Sequence, residues 1–96
     1  MTKLSKAVND YVALRRALGF KMIEVSRSLA DFVKFAGRER ASRITVDLAV
    51  RWAKQSPSVQ PSRWATRLRI VRQLAEYLST IDSRTEVPPR DLLPFG

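Results

Sequence analysis

Apolar residues recur at three- and four-residue steps through four segments of this chain, and this spacing constrains the fold more than any other feature. Such spacing places side chains on one face of an α-helix. No segment alternates apolar and polar residues with a period of two, so a β-sheet is not expected. The sequence therefore predicts an all-α fold, a compact bundle of four helices. The predicted helices span residues 4–18, 22–36, 46–55 and 62–81.

Each predicted helix carries one apolar stripe. The stripe of the first helix consists of Leu4, Val8, Tyr11, Leu14 and Leu18. That of the second consists of Val25, Leu29, Phe32 and Ala36, and that of the third of Leu48, Ala49 and Trp52. The stripe of the fourth consists of Trp64, Leu68, Val71, Ala75 and Leu78, widened by Ile70, Leu74, Tyr77 and Ile81. The width of this last stripe predicts that two sides of the fourth helix are buried.

Glycine, threonine and proline mark the predicted helix ends. Gly19 and Gly37 are expected to stop the first two helices, because glycine adopts the left-handed conformation of a helix C-terminus at low cost. Thr45 is expected to cap the third helix, and Pro61 suits the first turn of the fourth. Residues 56–61 break the helical pattern between them. From Asp82 onward the chain cannot continue a helix, so residues 1–84 are predicted to form the domain and residues 85–96 an extended linker.

The charge balance is strongly basic. Lys and Arg number 18 against nine acidic residues, which gives a net charge of +9. A charge of this size predicts a polyanionic partner, most often nucleic acid, although it can also serve solubility alone. The chain has no cysteine and no histidine, which excludes disulfides, His/Cys metal sites and histidine-dependent triads within it. No apolar run reaches membrane-span length. The absence of cysteine fits a cytoplasmic protein, and we expect no cofactor, metal or small-molecule substrate.

The strongest local signal lies at the start of the fourth predicted helix. Three arginines and two hydroxyls fall within two turns there, namely Ser62, Arg63, Thr66, Arg67 and Arg69. A helix N-terminus favours phosphate, and arginine adds bidentate contacts to phosphate or guanine. The alternative is a solvated basic face on which Arg67 leans its stem over apolar neighbours.

The second helix offers a weaker basic set of Lys21, Arg27 and Lys34, which could equally decorate a surface. The two tryptophans have the chemistry of base-stacking platforms, but Trp52 and Trp64 lie on apolar stripes, which favours core packing.

Several segments resemble, in order, the core-binding domain of tyrosine recombinases and phage integrases. The segments are residues 11–20 (YVALRRALGF), 29–35 (LADFVKF), 44–52 (ITVDLAVRW), 66–78 (TRLRIVRQLAEYL) and 87–94 (VPPRDLLP). Residues 66–78 are the nearest match, and residues 87–94 resemble the linker into the catalytic domain.

This resemblance implies a duplex DNA partner. In the family the second and fourth helices face the major groove, which selects as DNA-binding residues Lys21, Arg27, Ser62, Arg63, Thr66, Arg67 and Arg69. The family's catalytic domain uses a His-x-x-Arg element and a tyrosine nucleophile. This chain has no histidine, and Tyr11 and Tyr77 lie on apolar stripes, so the chain is expected to be non-catalytic, as an excised or truncated part of a recombinase. We expect a monomer in isolation, while the whole recombinase oligomerises on DNA.

Two other functions remain open from sequence. One is a stand-alone helical DNA-binding regulator, although the connections after the second and third helices are long for a helix-turn-helix motif. The other is a protein-interaction bundle whose basic face binds an acidic partner.

Overall fold

The structure, a computed structural model, describes residues 3–55 and 61–89, with side chains described for residues 4–55 and 63–89. These residues form four helices: α1 (Lys3–Ala17), α2 (Ile23–Arg38), α3 (Val46–Ala53) and α4 (Pro61–Ser79). The described ranges contain no strand, and the predicted all-α class with four helices is confirmed. The chain divides into a first unit, Met1–Arg43, and a second unit, Ile44–Gly96.

Helix α1 ends as the sequence predicts, at a glycine in the left-handed region. Gly19 has a φ of +93°. Its N–H donates to the carbonyl of Arg16 at 3.0 Å, and the N–H of Phe20 donates to the carbonyl of Arg15 at 3.1 Å. This pair of bonds is the Schellman arrangement, which satisfies carbonyls at the end of a helix. The Phe20 ring then lies over the Arg15 guanidinium, 4.3 Å from its carbon to the ring centroid.

The prediction that Gly37 stops the second helix is wrong. Helix α2 continues through Gly37 to Arg38. The left-handed residue is Arg40, with a φ of +56°. Its N–H donates to the carbonyl of Gly37, and the N–H of Ala41 donates to that of Ala36. The same Schellman bonds therefore form three residues later than predicted, with an arginine at the position that favours glycine.

Helices α1 and α2 pack on each other in the first unit. The buried apolar residues of this unit are Leu4, Val8, Tyr11, Met22, Leu29, Phe32 and Ala36. The predicted stripe of α1 is buried only in its first half, because Leu14 and Leu18 are 43% and 65% exposed. Val25 of the α2 stripe is half-buried.

In the second unit, Thr45 caps α3 as predicted. Its hydroxyl oxygen accepts a hydrogen bond from the N–H of Leu48 at 3.1 Å. Asp47 in the first turn binds Arg51 at 2.8 Å, a favourable spacing on a helix. The helix ends at Ala53, two residues before the predicted end at Gln55.

Helix α4 begins at Pro61, so proline occupies the first turn as predicted, and it packs against α3. The buried residues of the second unit's helices are Leu48, Ala49, Trp52, Ala53, Leu68, Val71, Leu74, Ala75 and Leu78. One detail differs from the prediction: Ile81, expected on the apolar stripe, lies beyond the helix and is 68% exposed. The side chain of Arg72 is only 15% exposed, and its Nε lies 3.8 Å from the Glu76 carboxylate.

Residues 82–89 form no helix, as predicted, and part of this stretch contacts the start of α3. The N–H of Glu86 donates to the carbonyl of Ile44 at 2.9 Å, and its carboxylate accepts from the N–H of Val46 at 3.0 Å. Pro88 is fully buried. The boundary at residue 84 stays a prediction, since residues 90–96 lie outside the described residues, as do residues 56–60 of the predicted break.

Candidate nucleic-acid interface

The first turns of α4 present an exposed basic and hydroxyl surface. The side chains of Arg63, Thr66 and Arg69 are exposed. Thr66 and Arg69 are three residues apart, so they are neighbours on one helix face, and exposed Gln73 continues that face by one more turn. Ser62 lies in α4, but its side chain is outside the described residues.

Arg63 and Arg69 carry charge that no carboxylate of the described residues offsets. Within the part of the chain that the structure describes, neither forms an ion pair. Farther along α4, by contrast, Arg72 lies beside the carboxylate of Glu76. The positive potential of the helix therefore concentrates in its first turns, where the helix dipole has the same sign.

Arg67 belongs to the structure of the second unit as well as to its charge. Its guanidinium carbon lies 4.1 Å from the centroid of the Trp52 ring, and Trp52 is fully buried. The predicted core position of Trp52 is therefore confirmed, and it is the guanidinium of Arg67 that lies over its ring. Stacking uses the flat face of the guanidinium, whereas hydrogen bonds to phosphate use its edge, so the two roles are compatible.

Trp64 is the second indole near this surface. It is half-buried rather than fully in the core, and the ammonium of Lys54 lies 5.3 Å from its ring centroid. The indole N–H is buried without a hydrogen-bond partner. Lys54 was not among the predicted site residues, because its proximity to Trp64 arises from the packing of α3 on α4.

Lys21 and Arg27 lie in the first unit. Lys21 is exposed in the turn before α2, and Arg27 is exposed on that helix. Both side chains are available to solvent. Lys34, the third member of the weaker set, is also exposed on α2.

Other site chemistries find little support in the described residues. Among them, no group of three or more histidine, cysteine, aspartate or glutamate side chains could hold a metal ion. None of the described helices is long and apolar enough to cross a membrane.

The chain is similar to a protein of Sinorhizobium fredii (strain NBRC 101917 / NGR234) named "Putative integrase/recombinase y4rB". The two are 45% identical over 95 residues, which is 99% of this chain and 30% of that relative's length. No protein-family model matches the chain, and no solved structure matches it. The chain therefore spans less than a third of the length of this relative.

Proposed function

We propose that this chain is the core-binding domain of a tyrosine-type recombinase or integrase, which grips duplex DNA during DNA integration and recombination and does not itself cut it. The observation that carries this proposal is the 45% identity across 99% of the chain to a protein named as an integrase/recombinase. Arg63 and Arg69 of α4, which are exposed and form no ion pair with any described residue, supply chemistry that suits the role.

The proposed grip is mainly electrostatic. Arg63 and Arg69 reach phosphates, Arg67 presents the edge of its stacked guanidinium, and the hydroxyl of Thr66 lies beside them. Ser62 is proposed to join them, and Lys21 and Arg27 to add contacts from the first unit. Phosphate contacts of this kind provide affinity and position, whereas sequence is read at base edges.

In this proposal the domain works as one half of a clamp. The strand-cutting groups belong to a separate catalytic part, since the chain contains no histidine for the His-x-x-Arg element. Alone, the domain is a monomer with the weak affinity of general duplex binding, on the order of 10⁻⁴ to 10⁻⁶ M. The whole recombinase assembles on DNA as an oligomer.

The test is a salt titration of binding to a labelled random-sequence duplex. The slope of log binding constant against log salt concentration is negative, and each phosphate contact contributes about 0.9 to its magnitude. Replacing both Arg63 and Arg69 by Ala should therefore reduce the magnitude of the slope by about 1.8. Arg67 is left in place, since its loss would also disturb the packing over Trp52.

The matched control removes the same charge elsewhere. Arg38 and Arg43 are exposed at and after the end of α2, and their double replacement by Ala should change the slope by much less. Equal effects of the two double variants would mean that only net charge attracts DNA. A wild-type slope near zero would reject DNA binding altogether and favour an acidic protein partner.

A further inference from the structure

Two cation–indole pairs link α3 and α4, and they are reciprocal. Arg67 of α4 stacks on Trp52 of α3, at 4.1 Å. Lys54, the C-cap residue of α3, places its ammonium 5.3 Å from the ring centroid of Trp64 in α4. Each helix therefore contributes one indole and receives one cation. Contacts of this kind are electrostatic attractions between a cation and the face of an aromatic ring.

We propose that Lys54 is a phosphate-binding residue of the same DNA interface, and that Trp64 orients its ammonium. The proposal rests on the proposed function and extends the interface from α4 onto the end of α3. Trp64 is a positioning residue here, since it acts through Lys54.

The position of Lys54 supports this role. Trp64 directly follows Arg63, so the contact with its ring brings the ammonium beside the first turn of α4. Lys54 is exposed, and no carboxylate pairs with it within the described ranges. An ammonium that is held in place and still faces solvent is available to a phosphate oxygen.

The aromatic contact explains why a lysine would be effective at this point. Lysine has a flexible four-carbon stem, and ordering that stem on binding opposes affinity. Contact with the Trp64 ring restricts the stem before DNA arrives. The restriction changes affinity without changing the number of charges, and this difference can be measured.

The first measurement compares the wild-type chain with Lys54→Ala, by fluorescence anisotropy of a labelled random-sequence duplex over a series of KCl concentrations. We expect Lys54→Ala to reduce the magnitude of the log-log slope by about 0.9, the contribution of one phosphate contact. At 0.1 M salt the loss of this contact weakens binding roughly 8-fold. The matched control is Lys6→Ala, which removes an exposed lysine of α1 that pairs with Asp10 at 3.4 Å. It should change binding less than 2-fold.

The second measurement tests the positioning role of Trp64. Trp64→Leu should weaken binding about 2- to 3-fold with an unchanged slope, because Lys54 keeps its charge and loses its platform. In the Lys54→Ala background the same replacement should have no further effect. Trp64→Phe keeps an aromatic face and removes an N–H that lacks a partner, so it should bind as the wild type does.

The outcomes separate this inference from the function on which it rests. If Lys54→Ala behaves like Lys6→Ala while the Arg63 and Arg69 double variant still loses slope, Lys54 is not a phosphate contact and the DNA interface stands. If Trp64→Leu weakens binding equally with and without Lys54, Trp64 has a structural role only. A wild-type chain without salt-dependent binding overturns both proposals together.

Discussion

At the end of helix α2, Gly37 lies in helical backbone and Arg40 lies in the left-handed region that favours glycine. Replacing Gly37 by Ala and Arg40 by Gly should therefore stabilise the protein. Gly37 lies inside the helix, and a Cβ added there would meet no atom within 4 Å. Glycine within a helix is less stable than alanine by about 0.5–1 kcal/mol. Gly37→Ala should therefore add about 0.5 kcal/mol so close to the helix end.

Arg40 has the complementary problem. With a φ of +56° it lies in the left-handed region, a conformation that costs a residue with a Cβ about 1–2 kcal/mol. Glycine at this position removes the conformational cost in the folded state. It also increases the conformational entropy of the unfolded chain, which opposes folding by about 0.5–1 kcal/mol. Arg40→Gly should thus add about 0.5–1 kcal/mol. The double variant should gain about 1–1.5 kcal/mol, which corresponds to a rise in Tm of about 5–10 °C for a domain of this size.

Thermal unfolding followed by far-UV circular dichroism measures this gain, because the signal arises from the helices. Arg40→Ala is the control, since it removes the charge and keeps the Cβ. If Arg40→Ala raises Tm as much as Arg40→Gly, relief of charge repulsion in a chain of net charge +9 is the cause and the backbone argument fails. A lower Tm for Arg40→Gly would also refute it.

Two further replacements should destabilise the protein, as measured by urea unfolding. Gly19→Ala should lower the free energy of unfolding by more than about 1 kcal/mol, because the φ of +93° is unfavourable for any residue with a Cβ. A loss within the range of ordinary surface substitutions, about 0.5 kcal/mol, would contradict the argument. Glu86→Ala should cost about 1 kcal/mol, because it leaves the N–H of Val46 without the carboxylate that accepts its hydrogen bond. Glu86→Gln, which keeps an acceptor oxygen, should cost less, and equal costs for the two would show that charge rather than the hydrogen bond matters.

The helices were largely predictable because they depend on local pattern. The three- and four-residue spacing of apolar residues located all four, and the cap at Thr45 and the glycine turn at Gly19 follow from the chemistry of those residues. Gly37 misled the prediction because glycine permits a left-handed turn without requiring one. The bonds that end α2 form at Arg40, a residue whose type gives no such signal.

The candidate site was predictable only where it depends on local sequence. The exposure of Arg63, Thr66 and Arg69 follows from their place on one helix, and the structure agrees. The stacking of Arg67 on Trp52 and the contact of Lys54 with Trp64 depend on how α3 packs on α4, which spacing alone does not specify. The same limit applies to Pro88, which looks like a linker residue and is fully buried.

The positions of the two tryptophans determine which part of the molecule intrinsic fluorescence can monitor. The chain has two tryptophans, and both lie in the second unit. Intrinsic tryptophan emission therefore monitors the unfolding of the second unit directly. It does not monitor the first unit, which contains Gly37 and Arg40. If the stabilising replacements at these two positions raise the midpoint of emission as much as that of circular dichroism, the units unfold in one cooperative transition. A rise seen by circular dichroism alone would mean that each unit melts independently.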